Sequence, residues 1–197
     1  MQSYLNINGV TRVRFCNDEM FDEDNISVNF SFTPRSGKRF GAAIGSGQRV
    51  DLRASRVGRL VSLDLWGEFD IGRGINITPN FSWSRLKRDG GTAYAALVFD
   101  TRLSWQLNPR QRLRLTLQGS HIERDLVLYA PDAVSKGGRE WGGQLLYSYK
   151  VSPRTAFYGG VSYGAVRDDD SLTPDMFGNN RGVFLKYSYG WQPAGLH

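Results

Sequence analysis

The feature that most constrains this chain is a polarity alternation that keeps restarting. Ile26, Val28, Phe30 and Phe32 alternate with Asn25, Ser27, Asn29 and Ser31. Ile75, Ile77, Phe81 and Trp83 alternate with Asn76, Thr78, Asn80 and Ser82. Val183, Leu185, Tyr187 and Tyr189 alternate with Phe184, Lys186, Ser188 and Gly190. A period of two puts successive side chains on opposite faces of a β-strand, one apolar and one polar. No stretch repeats its apolar positions at three and four, so no helix of useful length is predicted.

Turn chemistry divides the alternation into strands. Pro34-Arg35-Ser36-Gly37, Gly72-Arg73-Gly74, Asn108-Pro109-Arg110-Gln111 and Ser152-Pro153-Arg154-Thr155 read as short turns. Proline presets φ in them and glycine supplies left-handed conformations. Longer polar segments at 17–24, 46–58, 87–92, 124–139 and 168–180 fall between them, so short and long connections are expected to alternate strictly. The strands so delimited lie near 4–15, 25–33, 38–46, 59–71, 75–86, 93–107, 112–123, 140–151, 155–167 and 181–191. Most have roughly nine to thirteen residues, the length a tilted strand needs to cross a bilayer, whereas soluble strands cluster near five or six.

Two architectures share this pattern. In a soluble sandwich the polar face meets water and the apolar face a packed core. In a membrane barrel the polar face lines a lumen and the apolar face meets lipid. Strand length, short turns on one side, and aromatics near strand ends (Phe32, Trp83, Trp105, Trp141, Tyr149, Phe157, Tyr189, Trp191) favour the barrel. The expected fold is therefore all-β: an antiparallel up-and-down transmembrane β-barrel of about ten strands, or the C-terminal part of a larger one. It occupies residues 1–191 as one domain, with 192–197 as a tail. The alternative is a soluble all-β module that binds carbohydrate or nucleic acid.

Composition is compatible with either. A mean hydropathy of -0.41 and the lack of a long apolar run exclude helical spans but not a barrel, half of whose side chains are polar. The net charge of +6 suits an anionic partner. Its basic residues are scattered through strands and turns, so they are read as lining and rim charges, and nucleic acid is not an expected partner. The single cysteine, Cys16, allows no internal disulfide. The opening MQSYLNINGVTRVRF has neither the basic nor the apolar region of a secretory signal. A barrel that crosses the periplasm needs one, so the chain is expected to start inside a longer protein.

The run Phe99-Asp-Thr-Arg-Leu-Ser-Trp-Gln-Leu-Asn-Pro-Arg-Gln-Arg-Leu-Arg-Leu, the run Gln144-Leu-Leu-Tyr-Ser-Tyr-Lys-Val-Ser-Pro-Arg-Thr and the last strand Gly182-Val-Phe-Leu-Lys-Tyr-Ser-Tyr-Gly-Trp resemble one bacterial family. Its members are large envelope proteins of unknown function that pair an N-terminal carbohydrate-binding-like module with a C-terminal barrel. The resemblance covers residues 93–191 well and the first half loosely. It implies the bacterial outer membrane as location, with lipid, lipopolysaccharide and the barrel-insertion machinery as partners, and an N-terminal module of the same protein missing from this chain. It carries over no sugar-binding or catalytic residue.

Candidate sites are charges. Asp64, Glu68, Asp70, Asp100, Arg102, Arg112, Arg114, Lys150 and Lys186 fall on the polar parity and would point into a lumen. There they would either select solutes by charge or neutralise one another and fill a narrow interior. Asp168, Asp169, Asp170 and Asp175 form one acidic loop, and Asp18, Glu19, Asp22, Glu23 and Asp24 another. Such loops offer oxygens to a divalent ion, but the spacing matches no known calcium loop. With His121 and His197 as the histidines and no nucleophile–base spacing, neither catalysis nor a cofactor nor a bound metal is expected.

Overall fold

The computed structural model describes residues 1–130, 134–168 and 177–190. Those residues form one antiparallel sheet: β1 Gln2–Cys16, β2 Glu19–Arg35, β3 Lys38–Asp51, β4 Arg56–Gly72, β5 Ile75–Arg88, β6 Gly91–Asn108, β7 Gln111–Arg124, β8 Gly137–Ser152, β9 Thr155–Asp168 and β10 Phe177–Tyr189. Each strand pairs with its neighbours in sequence, in the order β1 to β10, the up-and-down arrangement of a barrel wall. Among the described residues no ladder joins β1 to β10, so the sheet is open along those two edges.

The ten expected strands are present, but they run longer than their alternation, from 13 residues in β10 to 18 in β6. This overturns the strict alternation of short and long connections. The polar segment at 17–24 is no loop: Asn17 and Asp18 alone make the turn, both at positive φ, and β2 begins at Glu19. Two left-handed residues are what a tight hairpin needs, because that twist matches the strands, and Asn and Asp tolerate it. Asp89-Gly90 does the same between β5 and β6. Segment 46–58 is mostly strand, with its turn at 52–55. The charged ends were read as loop because they leave the apolar stripe, yet they stay paired; Arg12 stands opposite Glu23. The connections on the other side are all single pairs of residues: 36–37, 73–74, 109–110 and 153–154.

Register gathers the apolar parity onto one face. A single row across the sheet reads Phe69, Ile77, Leu103, Leu115, Leu145, Val161 and Val183. A second reads Ile7, Val28, Ile44, Leu63, Trp83 and Leu97. Nothing among the described residues packs over this face. Leu185 is 88% exposed, Val183 82% and Ile7 67%. Phe99 and Trp141 meet edge to face at 5.3 Å across Gly119, where a Cβ would collide with the Phe99 ring. Towards the longer connections the same parity turns polar: Asp24, Gln48, Arg59, Lys87, His121 and Arg139 border the apolar band.

There is no second layer among the described residues. Among the described residues the buried hydrophobics are Val50, Leu86, Ala93 and Tyr129. Leu86, Ala93 and Tyr129 form a small cluster beneath the connection between β7 and β8, which contains a 3-10 turn at Leu126–Leu128 capped by Asp125. Arg88, 1% exposed, ties this connection down. Its Nη2 donates to the carbonyl of Leu128, its Cζ lies 4.9 Å from the centre of the Tyr129 ring, and its Nη1 stands 3.6 Å from the Asp51 carboxylate.

Candidate functional site

Because side chains alternate across the strands, the polar parity forms its own face. All nine of the charges expected there share it. Asp64, Glu68 and Asp70 come from β4, Asp100 and Arg102 from β6, Arg112 and Arg114 from β7, Lys150 from β8 and Lys186 from β10. Among the described residues no salt bridge joins any two of them. Asp64, Glu68 and Asp70 sit on β4, two strands from the nearest of these bases, Arg102 on β6, and Asp100 shares β6 with Arg102 without a salt bridge to it. Three of the charges are held by neutral neighbours. Asp64 accepts from the Ser82 hydroxyl at 2.6 Å, Asp70 from the Asn76 amide at 2.7 Å, and Arg112 Nε donates to Gln106 Oε1 at 2.8 Å.

Two cavities open on this face. One of about 650 Å³ carries Asp100, Glu140, Gln118, Gln144, Ser162 and Asn180. The other, about 520 Å³, lies at the two-residue-turn end and carries Arg112, Arg114, Lys150, Ser148, Tyr158 and Ser188. Along the strands the face is thus divided by charge, acids lining one cavity and bases the other; across the strands it is mixed, since Glu140 lies on β8 and Arg39 stands opposite Glu68.

Of the two acidic loops, Asp18 to Asp24 are a turn and the start of β2. Glu23 is buried there, 3% exposed. It accepts from the Val50 N–H at 2.9 Å and from Arg12 Nε at 2.6 Å, with Arg14 Nε at 3.4 Å. Burial raises its pKa, but these donors outweigh burial and hold the carboxyl below its ordinary value. Both of its oxygens are thus engaged by donors of the protein itself. In the other loop Asp168 ends β9. Asp169, Asp170 and Asp175 lie outside the described residues, as do Trp191 and the tail 192–197. No group of three or more His, Cys, Asp or Glu able to hold a metal exists among the described residues. His121 faces outward, 3.2 Å from Glu123.

Sequence reasoning missed the Asp51–Arg88–Tyr129 group. Asp51 ends β3, Arg88 ends β5 and Tyr129 lies in the connection between β7 and β8, and no local spacing announces them. Burial and the Asp51 carboxylate, which accepts a hydrogen bond from the hydroxyl, push the Tyr129 phenol well above its ordinary value.

No protein-family model matches the chain, and no curated protein matches it by sequence. Among solved structures it resembles the copper transporter OprC, with a TM-score of 0.61 and 12% identity. The likeness covers 96% of this chain and 38% of that one. At that identity it establishes the fold, an up-and-down β-barrel wall, and the chain spans little more than a third of the neighbour's length. No helix among the described residues is long and apolar enough to cross a membrane.

Proposed function

We propose that this chain is the wall of a bacterial outer-membrane β-barrel, with its apolar face in lipid and its charged face lining a lumen through which a solute passes. One observation carries the reading: the large hydrophobics are exposed in continuous rows on one face of a single-layer sheet. Monomeric soluble proteins rarely expose apolar patches beyond a few hundred Å². A soluble binding module of this size would bury those rows under a second sheet, so that alternative is disfavoured. The polar border at Arg59, Lys87 and Arg139 suits the phosphates of lipopolysaccharide.

Passage is favoured over simple anchoring because acids and bases line separate cavities of this face and the nine candidate charges make no salt bridge with one another. An anchor gains nothing from a polarised interior, whereas a transverse field sorts solutes by charge. Copper is not carried over from the neighbour, since the described residues offer no ligand cluster for it. The open edges along β1 and β10 and the partial coverage of OprC support a larger barrel whose remaining strands belong to the same protein. No chemistry of its own is assigned to the chain.

The test is fractionation followed by electrophysiology. The protein is expected in the outer-membrane fraction, to need detergent for extraction, and to give charge-selective conductance in planar bilayers. A monodisperse protein in detergent-free buffer would sink the barrel reading. Stable insertion without conductance would replace passage by anchoring.

A further inference from the structure

We infer that the cavity at the two-residue-turn end of the charged face is a binding subsite for oxyanions of the phosphate class. The inference rests on the reading that this face lines a lumen, and it adds what the lumen holds. The cavity is about 520 Å³, and its lining includes Arg112, Arg114 and Lys150 but no Asp or Glu. Among the described residues none of these three cations has a carboxylate partner. The Nε of Arg114 is buried without a hydrogen-bond partner. A buried unpaired donor is costly unless a ligand satisfies it.

Arg112 is also placed rather than loose. Gln106 fixes Arg112 through its Oε1 at 2.8 Å, while its own amide nitrogen donates to the carbonyls of Asn108 and Gln111. Lys150 N donates to the carbonyl of Arg110 at 2.7 Å, which ties β8 to the turn between β6 and β7. The cross-strand row from Arg112 runs through Ser148 and Tyr158 to Lys186, so two hydroxyls stand between two cations. Like charges crowded on one face repel, and an anion among them reverses that cost. Guanidinium groups present paired N–H donors that match phosphate oxygens, and hydroxyls can donate to the remaining ones. A metal cation has no donor set here, because every ionic group is positive.

The experiment uses the protein purified in a neutral detergent, or in buffer if it proves soluble. Inorganic phosphate and pyrophosphate are titrated by calorimetry against chloride at matched ionic strength. Saturable binding of phosphate or pyrophosphate is expected, with no equivalent heat from chloride. The pair R112Q/R114Q is expected to weaken it at least about tenfold, and K150Q to weaken it less. K136Q, in the connection between β7 and β8 at the other end of the strands, is expected to leave it unchanged. Strand content by circular dichroism checks that each variant is folded, and K150Q keeps the test decisive if the double variant is not. Absence of saturable binding, equal response to chloride, or binding indifferent to K150Q and R112Q/R114Q overturns the subsite. Those results in protein extracted from membranes leave the barrel reading standing; a soluble protein that binds phosphate does the reverse.

Discussion

At the scale of single residues, the least exposed charges secure the ends of strands rather than the charged face. Arg88 and Asp51 are 1% and 6% exposed and lie 3.6 Å apart. Removing one member of a buried pair leaves an uncompensated charge, which costs about 3–5 kcal/mol, while replacing both is far milder. Arg88→Met is therefore expected to lower unfolding stability by about that amount, and Asp51→Asn combined with it to recover much of the loss; a double-mutant cycle in urea checks this. Glu23 gives a pH prediction. Its carboxyl is held below its ordinary value in the fold, so its contribution is fully present above the unfolded value of about 4.3 and is lost as pH falls through the lower, folded one. Wild-type stability is expected to decline below about pH 4.3 more steeply than that of Glu23→Gln, as acid titration monitored by tryptophan fluorescence would read. Neither arrangement was legible in the sequence. Glu23 looked like one more acid in a solvated loop, and its partners Arg12 and Val50 reach it only through the register of three strands.

At the scale of elements, the alternation carried nearly everything. All ten strands stand in the expected order, and residues as far apart as Leu115 and Val183 fall on the face that parity assigned them. What parity could not give was where strands stop. At Asn17-Asp18 and Asp89-Gly90 the stripe ends before the ladder does, because charged residues continue the pairing beyond the apolar band. The strand faces supply the sharpest test of solvent. Leu115 lies in the middle of the longest aliphatic row, and Thr116 beside it faces the charged cavity. Leu115→Arg is expected to cost about 2–4 kcal/mol in a lipid environment, the penalty for a cation near the bilayer midplane. Thr116→Arg is expected to cost much less. Equal effects in detergent-to-bilayer refolding titrations would show that the two faces meet the same medium.

At the scale of the whole molecule, the sheet presents two long edges. Unpaired strand edges invite association, and barrels remove them by closure. In protein extracted from membranes, the β1 amides that point away from β2 are expected to resist hydrogen exchange as well as those of β5, since further strands would cover them. Rapid exchange along β1 would mean the edge stays bare. The charge pattern on the polar face is only half legible: the residues and their face follow from parity, but which of them share a cavity follows from the register of neighbouring strands. That neighbour rule has a kinetic consequence. Every ladder among the described residues joins segments adjacent in the chain, and most are joined by two-residue turns, so each pairing closes a very small loop. Folding rates fall as contacts become more distant in sequence. This wall can therefore assemble as a zipper, one hairpin templating the next from either end, and covering the bare edges of β1 and β10 is the step left for the end.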